Sequence, residues 1–219
     1  MAEAERIEET GSGATKYRLG DLTLLAPVMR PGKIIAVGLN YPDHAIETKL
    51  EIPTPPNILA KFPSSINGHD APVVLPVDDP QGDYEAELAV VIGRKAKAIS
   101  EDEALDYVAG YVPLNDVSAR RWQFVDKRWV RGKSCDTFCP TGPWLTTRHA
   151  VTDPHALSIQ MRVNGQLVQN SNTSNRIFRI PALIALISAA ITLEPGDIIA
   201  TGTPWACFAN LRYFSTPAT

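Results

Sequence analysis

The run Asp83-Tyr84-Glu85-Ala86-Glu87-Leu88-Ala89-Val90-Val91-Ile92-Gly93 is apolar except at its front end, where two glutamates stand at positions i and i+2. Read as a β-strand, it points Glu85 and Glu87 to one side, ~6.5 Å apart, and Ala86, Leu88, Val90 and Ile92 to the other. Shorter apolar runs predict strands over 33–38, 58–62, 73–76, 108–114 and 198–201, with order beginning near 22–25. Asn164-Gly165, between the runs 157–163 and 166–169, is a two-residue hairpin turn that needs positive φ. Residues 181–193 form the longest apolar stretch, shorter than the ~20 residues of a membrane span, and predict a buried helix. Ser100 with Glu103 forms a capping box that opens a helix through Leu105 and Tyr107. Pro42 fits the first turn of a helix that places His44 and Glu47 on one face. A helical turn through Trp122 and Gln123 follows Arg120, and 129–134 reads as a loop without periodicity.

At 219 residues and 44% hydrophobic content the chain suits one domain with a full core. Eighteen prolines favour many turns and strand ends over long helices. A net charge of −3, with the 21 Lys and Arg scattered, excludes a basic field for nucleic acid, and no membrane segment is expected. Three cysteines without zinc-finger spacing suit reduced thiols and a cytoplasmic protein. Residues 1–20 read as a polar leader, with four glutamates in the first ten residues and none of the apolar core of a signal peptide. The sequon Asn172-Thr173-Ser174 is then accidental.

The two glutamates repel by about 2–3 kcal/mol at an effective dielectric near 20, so burying both calls for a cation between them. A solvated strand face carrying two unrelated acids is the other reading of an E-x-E pair. Asp116 is a third carboxylate at a strand end, where sites are commonly built. His44 beside Glu47 has the form of a general base, since a carboxylate on one imidazole nitrogen raises the basicity of the other. A surface histidine near an acid would read the same way.

Six motifs occur in order: Gly38-Leu39-Asn40-Tyr41 with His44 and Glu47, Asp83-Tyr84-Glu85-Ala86-Glu87-Leu88, Asn115-Asp116-Val117-Ser118-Ala119-Arg120, Arg131-Gly132-Lys133-Ser134 with Asp136-Thr137, Val163-Asn164-Gly165, and Leu193-Glu194-Pro195-Gly196-Asp197 with Thr201-Gly202-Thr203-Pro204. Together they resemble the catalytic domain of the fumarylacetoacetate hydrolase family over about 20–204. The resemblance implies a mostly β fold with short helices, α+β in class, in which a mixed roll or barrel holds Mg²⁺ or Mn²⁺ on Glu85, Glu87 and Asp116. It implies a water-activating dyad of His44 and Glu47 on a lid segment. Lys133 is placed with them in catalysis, and Arg120, Gln123 and Thr203 contact substrate or support the metal. Members commonly form homodimers and act on 2-keto or 1,3-diketo acids.

A hard cation prefers six oxygens, and three carboxylates leave positions for a chelating 2-keto acid. Breaking a bond beside the carbonyl expels an enolate, whose developing charge such a cation stabilises. The expected activity is hydrolysis of a C–C bond in a 2,4-diketo acid. Decarboxylation or isomerisation of oxaloacetate-like acids fits the same groups. Arg121 replaces the acid usual after Arg120, and Arg176 stands at a position usually apolar, a concern for packing. Beyond Pro204 the run 205–219 departs from the family pattern and reads as an atypical tail of a truncated or frame-shifted product. An unfinished sheet and a non-catalytic homologue are the alternative that follows.

Overall fold

The computed structural model describes residues 17–205, so residues 1–16 of the expected leader and 206–219 of the expected tail lie outside the described residues. The strands are β1 (Ile34–Gly38), β2 (Asn57–Lys61), β3 (Ile66–Asn67), β4 (Gly82–Asp83), β5 (Ala86–Ile92), β6 (Val108–Asn115), β7 (Ser118–Ala119), β8 (Cys139–Pro140), β9 (Thr146–Thr147), β10 (Ser158–Val163), β11 (Gln166–Asn172) and β12 (Ile198–Ala200). The helices are α1 (Pro42–Thr48), α2 (Glu101–Ala104), α3 (Arg120–Asp126), α4 (Val130–Lys133) and α5 (Ile180–Ala190). Six strands form one mixed sheet in the order β2-β1-β12-β5-β6-β9, in which only β1 and β12 run parallel. The expected α+β class, mostly sheet with short helices, is what the chain adopts. Among the described residues the sheet is open, and no barrel closes.

β5 is buried on both faces, which is why its run reads as continuously apolar rather than alternating. On one face Val90 and Ile92 join Ile35, Val37, Ile199 and the α5 side chains Ile180, Leu183, Ile184 and Ile187. Those α5 positions recur at i, i+3, i+4 and i+7, the spacing of one helix face. At about 1.5–3 kcal/mol per buried aliphatic side chain, this stripe contributes roughly 6–12 kcal/mol before its entropic cost. On the other face Ala89 and Val91 pack with Ile34, Ala36, Val112, Leu114 and Ile198. The carboxylates of Glu85 and Glu87 lie at the front of this doubly buried strand, beyond the apolar layer.

Most local expectations match. Asn164 (φ 51) and Gly165 (φ 78) make the β10–β11 turn. The Ser100 and Glu103 capping box is present, although α2 stops at Ala104 and tightens into a 3₁₀ turn over Leu105–Tyr107. Three expectations do not hold. Residues 73–76 carry no strand, and the Val74 N–H donates to the Thr137 hydroxyl instead of a ladder. Residues 130–133 are helix α4 rather than loop. Arg176 does not disturb packing: it is buried, and its guanidinium donates to the carbonyls of Thr173 and Pro154 and to Thr201 Oγ1. Among the described residues no helix is long and apolar enough to cross a membrane.

Candidate metal centre

The centre forms where strand ends meet. Glu85 and Glu87 sit at the start of β5, Asp116 follows the end of β6, and the pairing of Ala86 with Asn115 brings the two ends together. The Asp116 N–H donates to the Glu85 carbonyl at 2.9 Å, which locks Asp116 beside the pair. Each of the three buried acids offers an oxygen within 4.8 Å of the others. The three acids expected from the sequence therefore converge on one point.

Cations surround two of them. Lys133, delivered by α4, donates to Glu85 Oε2 (2.9 Å), Asp116 Oδ2 (2.7 Å) and Ser118 Oγ (2.9 Å), which uses all three of its N–H groups. Arg120, at the start of α3, grips Asp83 Oδ2 through Nε (2.8 Å) and Nη2 (2.7 Å), reaches Glu85 Oε1 (2.7 Å), and donates to Gln123 Oε1 (2.7 Å). Lys61, at the end of β2 and buried, donates to Asp116 Oδ1 (2.6 Å), to the Val117 carbonyl (3.4 Å) and to the Lys133 carbonyl. Glu87 differs: its carboxylate accepts the Gly202 N–H (2.7 Å), and no cation pairs with it among the ion pairs of the described residues.

The electrostatics follow this asymmetry. Burial raises the Glu85 carboxyl, but Lys133, Arg120 and His44 more than offset it and hold it at about 2. Burial raises Asp83 to about 6 against the opposing pull of Arg120. Glu87 is pushed well above the ordinary glutamate value by burial and then by Asp116 and Glu85. Burial lowers the Lys133 ammonium, yet Asp116 and Glu85 outweigh it and its pKa is raised. Four acids (Asp83, Glu85, Glu87, Asp116) face three cations (Lys61, Arg120, Lys133), a formal charge of −1 in a buried site. An all-oxygen donor set with one uncompensated carboxylate fits a hard divalent cation.

Beside the acids lies a cavity of about 280 Å³. His44, Glu47, Glu85, Asp116, Arg120, Gln123, Lys133 and Thr203 line it, so every site residue expected from the sequence meets there except Glu87, which belongs to the same acidic cluster but lines a second cavity. Leu39, Leu50, Leu59, Phe124 and Trp129 form the apolar part of its wall. α1 carries the dyad as its i,i+3 spacing requires, with His44 Nδ1 at 3.5 Å from Glu47 Oε2. Thr203 donates to the Ala86 carbonyl (2.9 Å) and accepts from Gln169 Nε2 (3.0 Å). Gly202 is required here. Its φ is +95°, and a Cβ would stand 2.6 Å from the Asn40 Cβ.

Sequence reasoning missed Lys61, Asp83, Ser118, Gln169 and the Gly202 amide. A lysine inside the otherwise apolar run 58–62 was the signal for Lys61. The others are polar groups whose partners are remote in the chain.

A carboxylate trio in a mixed sheet, countered by two lysines and an arginine beside a small cavity, is a donor set that a hard cation would fit. The chain belongs to the fumarylacetoacetate hydrolase family, whose model for the C-terminal domain, "Fumarylacetoacetate (FAA) hydrolase C-terminal", matches residues 33–216. It is 50% identical over 186 residues to the oxaloacetate tautomerase fahd2, mitochondrial, of Xenopus laevis, a match covering 84% of this chain and 58% of that protein. It is 52% identical over 182 residues to 2,4-didehydro-3-deoxy-L-rhamnonate hydrolase of Sphingomonas sp. (strain SKA58), covering 81% and 63%. The maleylpyruvate hydrolase of Sphingobium sp. SYK-6, solved with manganese(II) and pyruvate, superposes with a TM-score of 0.78 at 37% identity, covering 94% of this chain and 72% of that one. The chain thus spans about three fifths of the length of the two sequence relatives. These relatives are enzymes by name.

Proposed function

We propose that this chain acts, with Mg²⁺ or Mn²⁺ on Glu85, Glu87 and Asp116, on a 2-keto acid, and that it hydrolyses a C–C bond in a 2,4-diketo acid. The observation that carries the reading is Glu87, a buried carboxylate that two neighbouring acids repel and that is in no ion pair with a lysine or arginine among the described residues. The manganese and pyruvate named for the Sphingobium neighbour support the same ligand class.

When bound, the divalent ion supplies a positive charge for the carboxylate and keto oxygens of the substrate and for the negative charge that develops there. Lys133 and Arg120 hold Glu85 and Asp116 in register for it. Gln123 spends its amide oxygen on Arg120, which leaves its NH₂ to donate to the substrate. Glu47 orients His44 through Nδ1, and His44 takes a proton from the attacking water. Water oxygen bonds to C4 as the C3–C4 bond breaks, its electron pair passing toward the C2 oxygen, and C3 regains a proton. The apolar wall keeps further water away.

Tautomerisation of an oxaloacetate-like acid is the second reading, favoured by the name of the Xenopus relative. It needs the same groups, with His44 moving a proton at C3 and no water consumed. Homodimerisation, common in the family, belongs with this proposal.

Acylpyruvates and oxaloacetate assayed side by side with Mn²⁺ decide between them. Turnover of acylpyruvate that disappears in both Glu87→Ala and His44→Ala supports hydrolysis. Enol–keto exchange of oxaloacetate without acylpyruvate cleavage supports the second reading. A chain that handles neither and binds no Mn²⁺ refutes both, and the non-catalytic alternative then stands.

A further inference from the structure

Helix α3 brings Arg120 and Gln123 to the metal centre, yet its own first turn lacks a cap from within. It is seven residues long, too short to hold by itself, and its N-cap residue is Ala119, which has no side-chain oxygen for the orphan N–H groups. Ala119 is committed elsewhere: it is fully buried, pairs with Gly82 between β4 and β7, and packs with Val117 and Phe138. Asp79, 43 residues before Trp122 in the chain, supplies the missing oxygen: its Oδ2 accepts the Trp122 N–H at 2.9 Å.

Asp79 is 0% exposed, and its own N–H closes a turn on the Pro76 carbonyl (3.1 Å). From the same loop the Gln81 carbonyl accepts the Arg120 N–H (3.4 Å), and the Asp78 carbonyl accepts from Arg121 Nη1 (2.9 Å). Three successive residues of α3 are thus gripped from outside the helix, and Arg121, the departure from the family pattern, is one of them. On the side of α4, a Cβ at Gly132 would stand 2.8 Å from Gln123 N, so the two helices already touch. α3 is therefore fixed between Gly132 and Asp79. The cap is a costly one, because Asp79 Oδ1 is buried with no hydrogen-bond partner among the described residues. A neutral hydroxyl would satisfy the same N–H, whereas a carboxylate makes the stronger bond, one residue before Gln123.

We propose that Asp79 is a positioning residue for ligand binding: by capping α3 from outside, it sets where the Gln123 amide stands in the cavity. Gln123 lines that cavity, and its Oε1 accepts from Arg120 Nη1 (2.7 Å), so a shift of the first turn moves both side chains. The proposed metal ligands are on other elements, Glu85 and Glu87 at the start of β5 and Asp116 after β6, joined by strand pairing. Asp79 accordingly acts on the organic ligand and spares the metal. This rests on the reading of Gln123 as a donor to a 2-keto acid.

The test measures Mn²⁺ binding to the purified full chain by electron paramagnetic resonance, and then pyruvate binding to the loaded chain by calorimetry. Asp79→Ala is expected to weaken pyruvate about tenfold, the size of one lost cap, and Mn²⁺ by less than about threefold. Asp79→Asn, whose amide oxygen still accepts the Trp122 N–H, should recover most of the loss. In a Gln123→Ala background, Asp79→Ala should weaken pyruvate by less than about twofold further, since the effect passes through Gln123. Circular dichroism melting establishes that each variant folds. A folded Asp79→Ala with native pyruvate affinity overturns the proposal, as does an equal fall in Mn²⁺ affinity or an undiminished loss in the Gln123→Ala background. Failure of both Asp79 variants to fold assigns Asp79 to the fold and overturns it too. A native chain that binds Mn²⁺ but no pyruvate overturns the 2-keto acid reading and this role with it, and is told apart because it shows before any substitution is made.

Discussion

Loading the centre with Mn²⁺ should expel a proton from Glu87. Glu87 lies in a trio whose ligand oxygens are within 4.8 Å of one another, and two unit charges at that distance repel by about 3.5 kcal/mol at an effective dielectric near 20. Lys133 and Arg120 spend their donors on Glu85, Asp83, Asp116 and Gln123, so burial and this repulsion leave Glu87 raised well above the ordinary 4.5. A metal ligand must be a carboxylate, so binding competes with the proton. Where Glu87 is protonated, apparent affinity should rise about tenfold per pH unit, and it should level off once the carboxyl is ionised. Calorimetry in two buffers of different ionisation enthalpy counts the protons released. The expectation is a count that grows as pH falls, together with its loss in Glu87→Gln, which should also bind Mn²⁺ more weakly. A pH-independent affinity with no proton released would refute the claim that Glu87 is the uncompensated acid.

Lys133→Met leaves Glu85 with Arg120 alone and Asp116 with Lys61 alone, and should cost about 3–5 kcal/mol in urea unfolding. Mn²⁺ should raise the melting temperature of that variant more than it raises the native one, because the metal replaces the lost charge. Asp83, raised from 3.8 to about 6, keeps a proton when folded that it has lost when unfolded, so its contribution to stability falls by about 3 kcal/mol as pH rises through that window. The stability difference between native chain and Asp83→Asn should therefore shift in favour of the variant between about pH 4 and pH 6, and a flat difference in urea titrations would contradict this. Gly202→Ala should lose about 1–3 kcal/mol and weaken Mn²⁺ binding, since φ +95° and the 2.6 Å approach to Asn40 both force the amide off Glu87.

Much of this centre was legible because its acids sit on a strand and at a strand end, where a period of two fixes direction. The E-x-E pair, the i,i+3 spacing of His44 and Glu47, and the Asn164-Gly165 turn each carry their geometry in local sequence. Lys133 was legible as a residue but not as helix, because α4 is a single turn without room for a period. Val73 and Val74 looked like strand by composition, yet a side-chain hydroxyl took the hydrogen bond a ladder would have used. Asp83 and Gln169 were illegible for another reason. Their meaning lies in partners remote in the chain, as with Gln169 accepting from the Ala86 N–H and donating to Thr203, and no local pattern encodes such a pairing.

The distribution of charge argues that the fold comes first and the metal second. Asp83, Glu85 and Asp116 each have a cation of this chain on at least one oxygen, so bringing them together does not depend on an added ion. Among the described residues Glu87 alone of the four lacks one, and its raised pKa opens protonation to it. An apo chain can therefore close its sheet, align β5 with β6, and present a nearly balanced cluster in which one acid waits for the dication. Had all four acids lacked partners, the mutual repulsion would have exceeded what a domain of this size holds in reserve, and metal and fold would be inseparable. The chain should accordingly stay folded in chelator and lose only the increment of stability that follows from ligand binding to the native state.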